Sequence, residues 1–522
     1  MSDAKEQAPQ GVADEPPVDN AAKPAPAEPT AAPVVASGPG FERPGGWMYK
    51  RWKVAGRKFN IWYASPKAQL LVVSMVCFLC PGMFNALTGL GDGGLSDNAS
   101  VQAKANTALY STFAVVGFFS GTFANRLGIK ATTALGGLGY CIYAASLLTY
   151  KHTQNGGFCI FAGAFLGVCA GLLWCAQGAI MMSYPPESQK GRYISWFWVI
   201  FNLGAVVGAF IPLGQNVNNI TGPATDGTYI GFIVLMVLGA TLALFLCNST
   251  DVVREDGSKV IVMKNPSWQS EIWGLWEVLI EAPWIVALFP MFFSSNIFYA
   301  YQLNNMNGAL FNTRTRSLNN LLYWLGQIFG AIFMGYALDF PGVRRSMRAK
   351  ISFGVLFALT FIIWGGGWAF QSKQPTRAFV KAKDSPYVHI DWTDGGEHYI
   401  GPAFLLIFYA VYDAVFQTSI YWYMGALSNS GRKTANMAGF YKGIQSAGAA
   451  VFWSLDGVNQ LEFNTIFGAT WGLLAASILI AAPIIFLKIK DTVPVEEDLK
   501  NTDENIEDVV APGAVAEKKV DV

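Results

Sequence analysis

At 522 residues, with 52% hydrophobic and only 14% charged residues, 54 glycines and 37 phenylalanines, the chain is too apolar for a water-soluble protein of two or three domains. A net charge of +1 and a pI near 7.5 exclude any global electrostatic pull toward nucleic acid or acidic substrates. Seven cysteines, all within or beside apolar runs, and three scattered histidines leave neither a disulfide framework nor a metal cage, and no cofactor is expected.

The chain opens with a Pro/Ala-rich tail, residues 1–46, which is too poor in apolar surface to fold. This tail leaves no room for a cleavable signal, so the first span is expected to serve as an uncleaved insertion signal. Residues 47–66 interleave Trp and Tyr with Lys50, Arg51, Lys53, Arg57 and Lys58. That composition suits the headgroup layer of a membrane, making lipid the first expected partner.

A membrane-crossing helix needs about 20 apolar residues, because lipid offers backbone polar groups no partner. Spans are predicted near 68–90, 107–127, 131–150, 157–182, 193–214 and 229–247, within a first bundle at 67–250. A linker at 251–282 carries an amphipathic helix. A second bundle at 283–490 holds spans near 283–303, 318–338, 349–370, 400–424, 436–456 and 463–487, and an acidic tail closes the chain at 491–522. The expected fold is an all-α membrane protein of twelve transmembrane helices in two six-helix bundles.

With both termini cytoplasmic, the inner loops collect Arg126, Lys130, Lys190, Arg192, Arg344, Arg345, Arg348, Arg432 and Lys433, as the positive-inside rule requires. Arg314 and Arg316, in a predicted outer loop, count against it. The sequons at Asn98 and Asn219 fall in outer loops and are glycosylation candidates. Whether the membrane is the plasma membrane or an internal one is not written in these residues.

An internal repeat is visible. Gly121, Asn125, Arg126 and Gly128 close the second span, and Gly335, Asp339, Gly342, Arg344 and Arg345 close the eighth, in the shared pattern G-x-x-x-(D/N)-x-x-G-x-basic, with a constant offset of 214 residues. Both copies resemble the signature loop of the major facilitator superfamily. Stretches such as FLCPGMFNALTGLGDGG (Phe78–Gly94), NTALYSTFAVVGFFSGTFANRLG (Asn106–Gly128) and PSWQSEIWGLWEVL (Pro266–Leu279) further resemble fungal members of its Unc-ninety-three-like branch, the ion channel regulatory proteins. The resemblance implies a facilitator fold and a latch built on the loop carboxylate, which Asp339 keeps and Asn125 lacks. It also implies that some relatives act as channel regulators or receptor-trafficking partners.

Both halves begin with a proline-bearing helix. Pro81 precedes Asn85 and Thr88, and Pro290 precedes Asn296, and paired helix breaks in corresponding places point to a central binding site. Asp413 and Lys442 are the costliest residues in apolar surroundings, at about 2.5–3.5 kcal/mol each if unpaired near mid-bilayer. They are expected to form an interhelical ion pair or to share a water cavity, with Gln177, Asn202, Gln327, Gln417 and Gln445 as further polar lining. No nucleotide loop, metal cluster or nucleophile–base motif stands in a credible context, so no enzyme is expected. Two functions remain open: secondary transport of a small solute or ion by alternating access, or a non-transporting regulatory or trafficking partner of a channel or receptor.

Overall fold

The structure, a computed structural model, describes residues 44–54, 57–58, 60–88, 99–216, 226–261, 267–382, 385–393, 396–499 and 509. The tail up to residue 43, the sequons at Asn98 and Asn219, and nearly all of the acidic tail after residue 499 lie outside the described residues.

The first span, α1 (Pro66–Thr88), begins at Ser65, whose hydroxyl accepts from the Ala68 N–H at 3.3 Å. There follow α2 (Ala99–Leu127), α3 (Ile129–Thr153), α4 (Gly156–Ser183), α5 (Lys190–Asn216) and α6 (Asp226–Leu242). A linker helix, α7 (Trp268–Glu281), leads into α8 (Pro283–Ser294), α9 (Thr313–Leu338), α10 (Arg345–Gln371), α11 (Gly396–Leu427), α12 (Gly431–Gly457) and α13 (Phe463–Leu487). Ten of the described helices are long and apolar enough to cross a bilayer. Their outer faces expose large apolar side chains such as Phe119, Phe329, Phe408 and Ile480, as helices solvated by hydrocarbon must.

Two expected spans depart from a simple apolar helix. The seventh is no continuous helix: α8 ends at Ser294, the chain turns, and a π-helix occupies Ala300–Gly308. Its asparagines are drawn out of α-helical register by side-chain partners; Asn304 Nδ2 donates to Asp456 Oδ2 at 2.7 Å and Asn305 Oδ1 accepts from Arg377 Nη2 at 3.0 Å. Pro290 therefore stands in the first turn of the Phe289–Ser294 helix, where its missing N–H costs nothing, and the interruption comes after it. Pro81 sits inside a π turn, Phe78–Gly82, through which the span continues. The eleventh span, α12, is too polar to qualify on composition, with Asn436, Tyr441, Lys442, Gln445 and Ser446 in its middle, yet it is helical throughout and buried on nearly every face along 431–449. A helix screened from lipid by its neighbours need not be apolar itself.

The halves meet along two seams. On α2, a Cβ at Gly121 would stand 2.4 Å from Asn436 Oδ1 and 2.8 Å from its Cα on α12; on α9, a Cβ at Gly335 would stand 2.3 Å from Ser195 Cβ and 2.7 Å from the Gly191 carbonyl on α5. Only glycine permits such approach. Between α2 and α3, Gly128 takes φ +80°, which turns the chain sharply into the next helix.

The basic aromatic segment folds back against the protein. Lys53–Val54 pairs antiparallel with Arg57–Lys58, Trp62 is fully buried, and Trp47 and Trp52 remain exposed. At the opposite end, Arg314 Nε donates to Asp391 Oδ1 and Oδ2 at 3.0 and 2.7 Å, which neutralises the arginine that counted against the charge rule. Asp391 loses some solvation, which alone raises its pKa, but its bonds to Arg314, Thr393 and Asn312 hold the carboxyl well below the usual range. A depressed carboxylate stabilises fully above its unfolded pKa of about 3.9 and loses that contribution as pH falls toward the folded value. The difference in melting temperature between the wild type and Asp391→Asn in detergent is therefore expected to be constant near neutrality and to shrink below about pH 4. A difference independent of pH would show that the charge is not what stabilises this loop.

Candidate functional site

Asp413 is completely buried on α11. Its Oδ2 accepts from Tyr299 Oη and from Gln327 Nε2, both at 2.6 Å, and its Oδ1 accepts from Gln417 Nε2 at 2.6 Å. Tyr323 donates to Gln302 Oε1 at 2.7 Å and stands 3.4 Å from the same carboxylate. Lys442, on α12, donates to Gln445 Oε1 at 2.7 Å and lies among the rings of Trp174, Tyr441 and Tyr421 at 4.5, 4.8 and 5.3 Å. Desolvated cation–π contacts of this kind contribute about 2 kcal/mol or more.

The two charges thus form no direct salt bridge among the described residues, so of the two expected arrangements, ion pair or shared water cavity, the direct pair is not formed. They are joined through two carboxamides: Lys442 to Gln445, Gln445 Nε2 to Gln417 Oε1 at 3.2 Å, and Gln417 to Asp413. Donors around the carboxylate and rings around the ammonium replace the hydration each charge lost, so neither needs the other in contact. Gln445 Nε2 also reaches Ser295 Oγ at 2.8 Å, at the turn where α8 ends. The interruption of the seventh span is therefore tied to this network.

Beside the network lies a cavity of about 100 Å³, enough for several waters or a small polar group. Asn85, Tyr110, Trp174 and Trp198 line it from the first half, and Asn296, Tyr299, Gln417, Lys442 and Gln445 from the second. The Trp198 Nε1 donor is buried, with no hydrogen-bond partner among the described residues. Other sequence candidates lie elsewhere. The Thr88 hydroxyl donates to carbonyls of its own helix at Phe84 and Asn85, and Gln177 contacts Met181 and Tyr421. Gln327 faces Asp413 rather than the cavity, and Asn202 is buried on α5 with both amide atoms unpartnered among the described residues. Sequence reading missed Tyr299, Tyr323 and Trp174; a tyrosine near a buried acid carries no periodic signal that separates it from an ordinary core ring.

The basic ends of the helices are drawn together by charges at helix termini. Asp339 accepts from the backbone N–H groups of Gly191 at 2.9 Å and Arg192 at 2.7 Å, the first turn of α5 in the other half. In return Lys190 Nζ donates to the Gly425 and Ser428 carbonyls at 2.5 and 3.0 Å, at the C-terminal end of α11. Arg345 joins Glu187 at 2.8 Å and the Ala426 carbonyl at 2.6 Å. Arg344 is the N-cap residue of α10, and Arg126 lies over the Trp268 ring at 6.0 Å. Asn125 meets no helix terminus; its Nδ2 donates to Glu271 Oε2 at 2.9 Å and toward Asn436 Oδ1 at 3.4 Å.

Two sets of membrane-crossing helices, seamed along α2–α12 and α5–α9 around a polar cavity, define a multi-pass membrane protein of the major facilitator class. The Major Facilitator Superfamily profile matches residues 12–209. The fold is similar to the major facilitator transporter FucP in its outward conformation, with TM-score 0.55 and 12% identity over 82% of this chain and 99% of that one. It is likewise similar to the proton:xylose symporter XylE, with TM-score 0.56 and 11% identity over 82% and 98%. An UNC93-like protein of Schizosaccharomyces pombe is 50% identical over 87% of this chain and 88% of its own length, and UNC93-like protein 1 of Arabidopsis thaliana is 38% identical over 83% and 93%. The chain belongs to the UNC93-like family of the major facilitator superfamily.

Proposed function

We propose that the protein is a secondary transporter, which carries a small solute by alternating closure of its two ends around the central cavity. The family and fold point to a transporter or regulator rather than an enzyme. One observation carries the transport reading: residues from both halves, including the buried Lys442, converge on a single cavity. Such a site recognises a solute with an anionic or acceptor group for Lys442 and an apolar or flat portion for Tyr110, Trp174 and Tyr299. The basic end, with Arg126, Arg344 and Lys433, faces the cytoplasm on the positive-inside rule.

A second reading has its own observation. Asp413 already takes three short hydrogen bonds from protein side chains, a saturation that suits a fixed strut in a non-transporting partner of a channel or receptor. Flux into sealed proteoliposomes separates the two. Transport reads as solute uptake that falls at least tenfold in Lys442→Met and Asp413→Asn, about 1.4 kcal/mol in the rate-limiting barrier. A protein that moves no solute from a broad panel, yet recovers a channel or receptor from native membranes, belongs to the second reading.

A further inference from the structure

The first half lacks the acid that its repeat partner holds at Asp339, yet an acid is present in space. Glu271, on α7, is fully buried, accepting from Asn125 Nδ2 at 2.9 Å and from Arg432 Nε at 3.1 Å, in the first turn of α12. Arg432 Nη2 also donates to the Ser270 carbonyl at 2.7 Å, and a Cβ on Gly274 would stand 2.5 Å from the same nitrogen. The inner face of α7 is thus pressed onto the α2–α12 seam. Burial raises the Glu271 carboxyl while the Arg432 charge and the Asn125 hydrogen bond pull it back, so the ionised acid depends on keeping these partners.

The outer face of α7 is apolar and largely exposed, although Trp268 at its start packs against the Phe123 and Arg126 side chains. Trp268, Ile272, Trp273, Trp276 and Ile280 recur at helical spacing and range from 43% to 67% exposed. One occupant fits that face, the headgroup layer of the bilayer the protein itself crosses. Between α7 and α8 the chain bends by 87°, so an α8 directed into the membrane would leave α7 running along its surface. Exposed Ile280 and Val286 carry the apolar strip from α7 around this bend. Tryptophan is the residue best suited to the boundary between water and hydrocarbon.

We propose that α7 is a membrane-surface helix that supplies, through Glu271, the gate carboxylate missing at Asn125, so that seating its tryptophan face in the headgroup layer holds the basic end of the α2–α12 seam closed. The proposal rests on the two halves parting at this end, and its test reads conformation rather than flux, so a protein that closes without transporting still tests it. All seven native cysteines are buried, which allows selective labelling of introduced ones. An environment-sensitive dye on Trp276→Cys in nanodiscs should emit to the blue of its value in water and be quenched by lipid bearing a nitroxide on its headgroup. Spin labels on Leu127→Cys and Phe340→Cys, both exposed and in opposite halves, report the opening by pulsed dipolar spectroscopy. A longer population should appear in Glu271→Ala, and in Trp273→Ser with Trp276→Ser, and should disappear again when Asn125→Asp is added to Glu271→Ala. Should Glu271→Ala fail to fold, Glu271→Gln, which keeps an acceptor but no charge, should show the same shift in part. Water-like emission without headgroup quenching, or a distance distribution that no Glu271 variant moves, would overturn the proposal.

Discussion

Replacing Asp456 by alanine is expected to lower stability by about 3–5 kcal/mol, because it strands a buried arginine. Arg377 and Asp456 are both at least nineteen-twentieths buried at the end away from the basic loops, with Nη2 and Oδ1 2.5 Å apart. Arg377 also donates to the Asp456 carbonyl at 3.1 Å and lies over the Phe463 ring at 4.7 Å, while its own N–H donates to Glu462 Oε2 at 2.9 Å. The pair therefore ties the end of α12, the start of α13 and the π-helix at Ala300–Gly308 to the loop after α10. Removing both charges, as Arg377→Met with Asp456→Leu, should recover much of the loss, since no ion is then left without its counter-ion. Thermal unfolding in detergent measures both variants, and a single substitution that melts together with the parent would show the clasp to be energetically idle.

The second large effect is expected at Gly335. Valine there needs room that Ser195 and the Gly191 carbonyl already occupy, so the α5–α9 seam must part and Asp339 must leave the first turn of α5. Overpacking of this kind costs about 1–3 kcal/mol, a shift of roughly five- to more than a hundredfold in the balance between closed and open forms when the open form is relieved of it. Ser195→Cys, nearly inaccessible at 1% exposure, should react with a water-soluble maleimide correspondingly faster in the Gly335→Val background. Gly354→Val is the control, because a Cβ there meets nothing within 4 Å. Equal labelling in both backgrounds would mean that this seam does not open. Asp339→Asn, which keeps an acceptor and loses the charge, should accelerate labelling less than Gly335→Val.

Much of the fold was legible because lipid imposes a one-dimensional rule. Any α-helical stretch that crosses the bilayer must be about 20 residues long, and ten of the described helices meet that rule on length and composition alone. The rule falters at α12, where neighbours on nearly every side along 431–449 replace lipid as the surroundings, and at the seventh span, where Asn304 and Asn305 take the Asp456 and Arg377 side chains as partners. At the candidate site the identities of Asp413, Lys442, Gln417 and Gln445 could be read as costly residues in apolar surroundings. Their connectivity could not, since a carboxamide between two charges is invisible until helices are placed side by side.

The sequence by itself determined the membrane-crossing helices, the two-fold repeat and the retention of Asp339 against the loss at Asn125, because each depends on hydrophobic length or on residues at a fixed spacing within one segment. Only the tertiary structure decided that Asp413 and Lys442 are bridged by glutamines, that Asp339 sits on the first turn of α5, and that Glu271 from the linker meets Asn125 and Arg432. The contacts between helices join residues from 28 to 161 positions apart in the chain. Which partner a buried charge finds at such separations is set by how helices pack and not by what precedes or follows it in sequence.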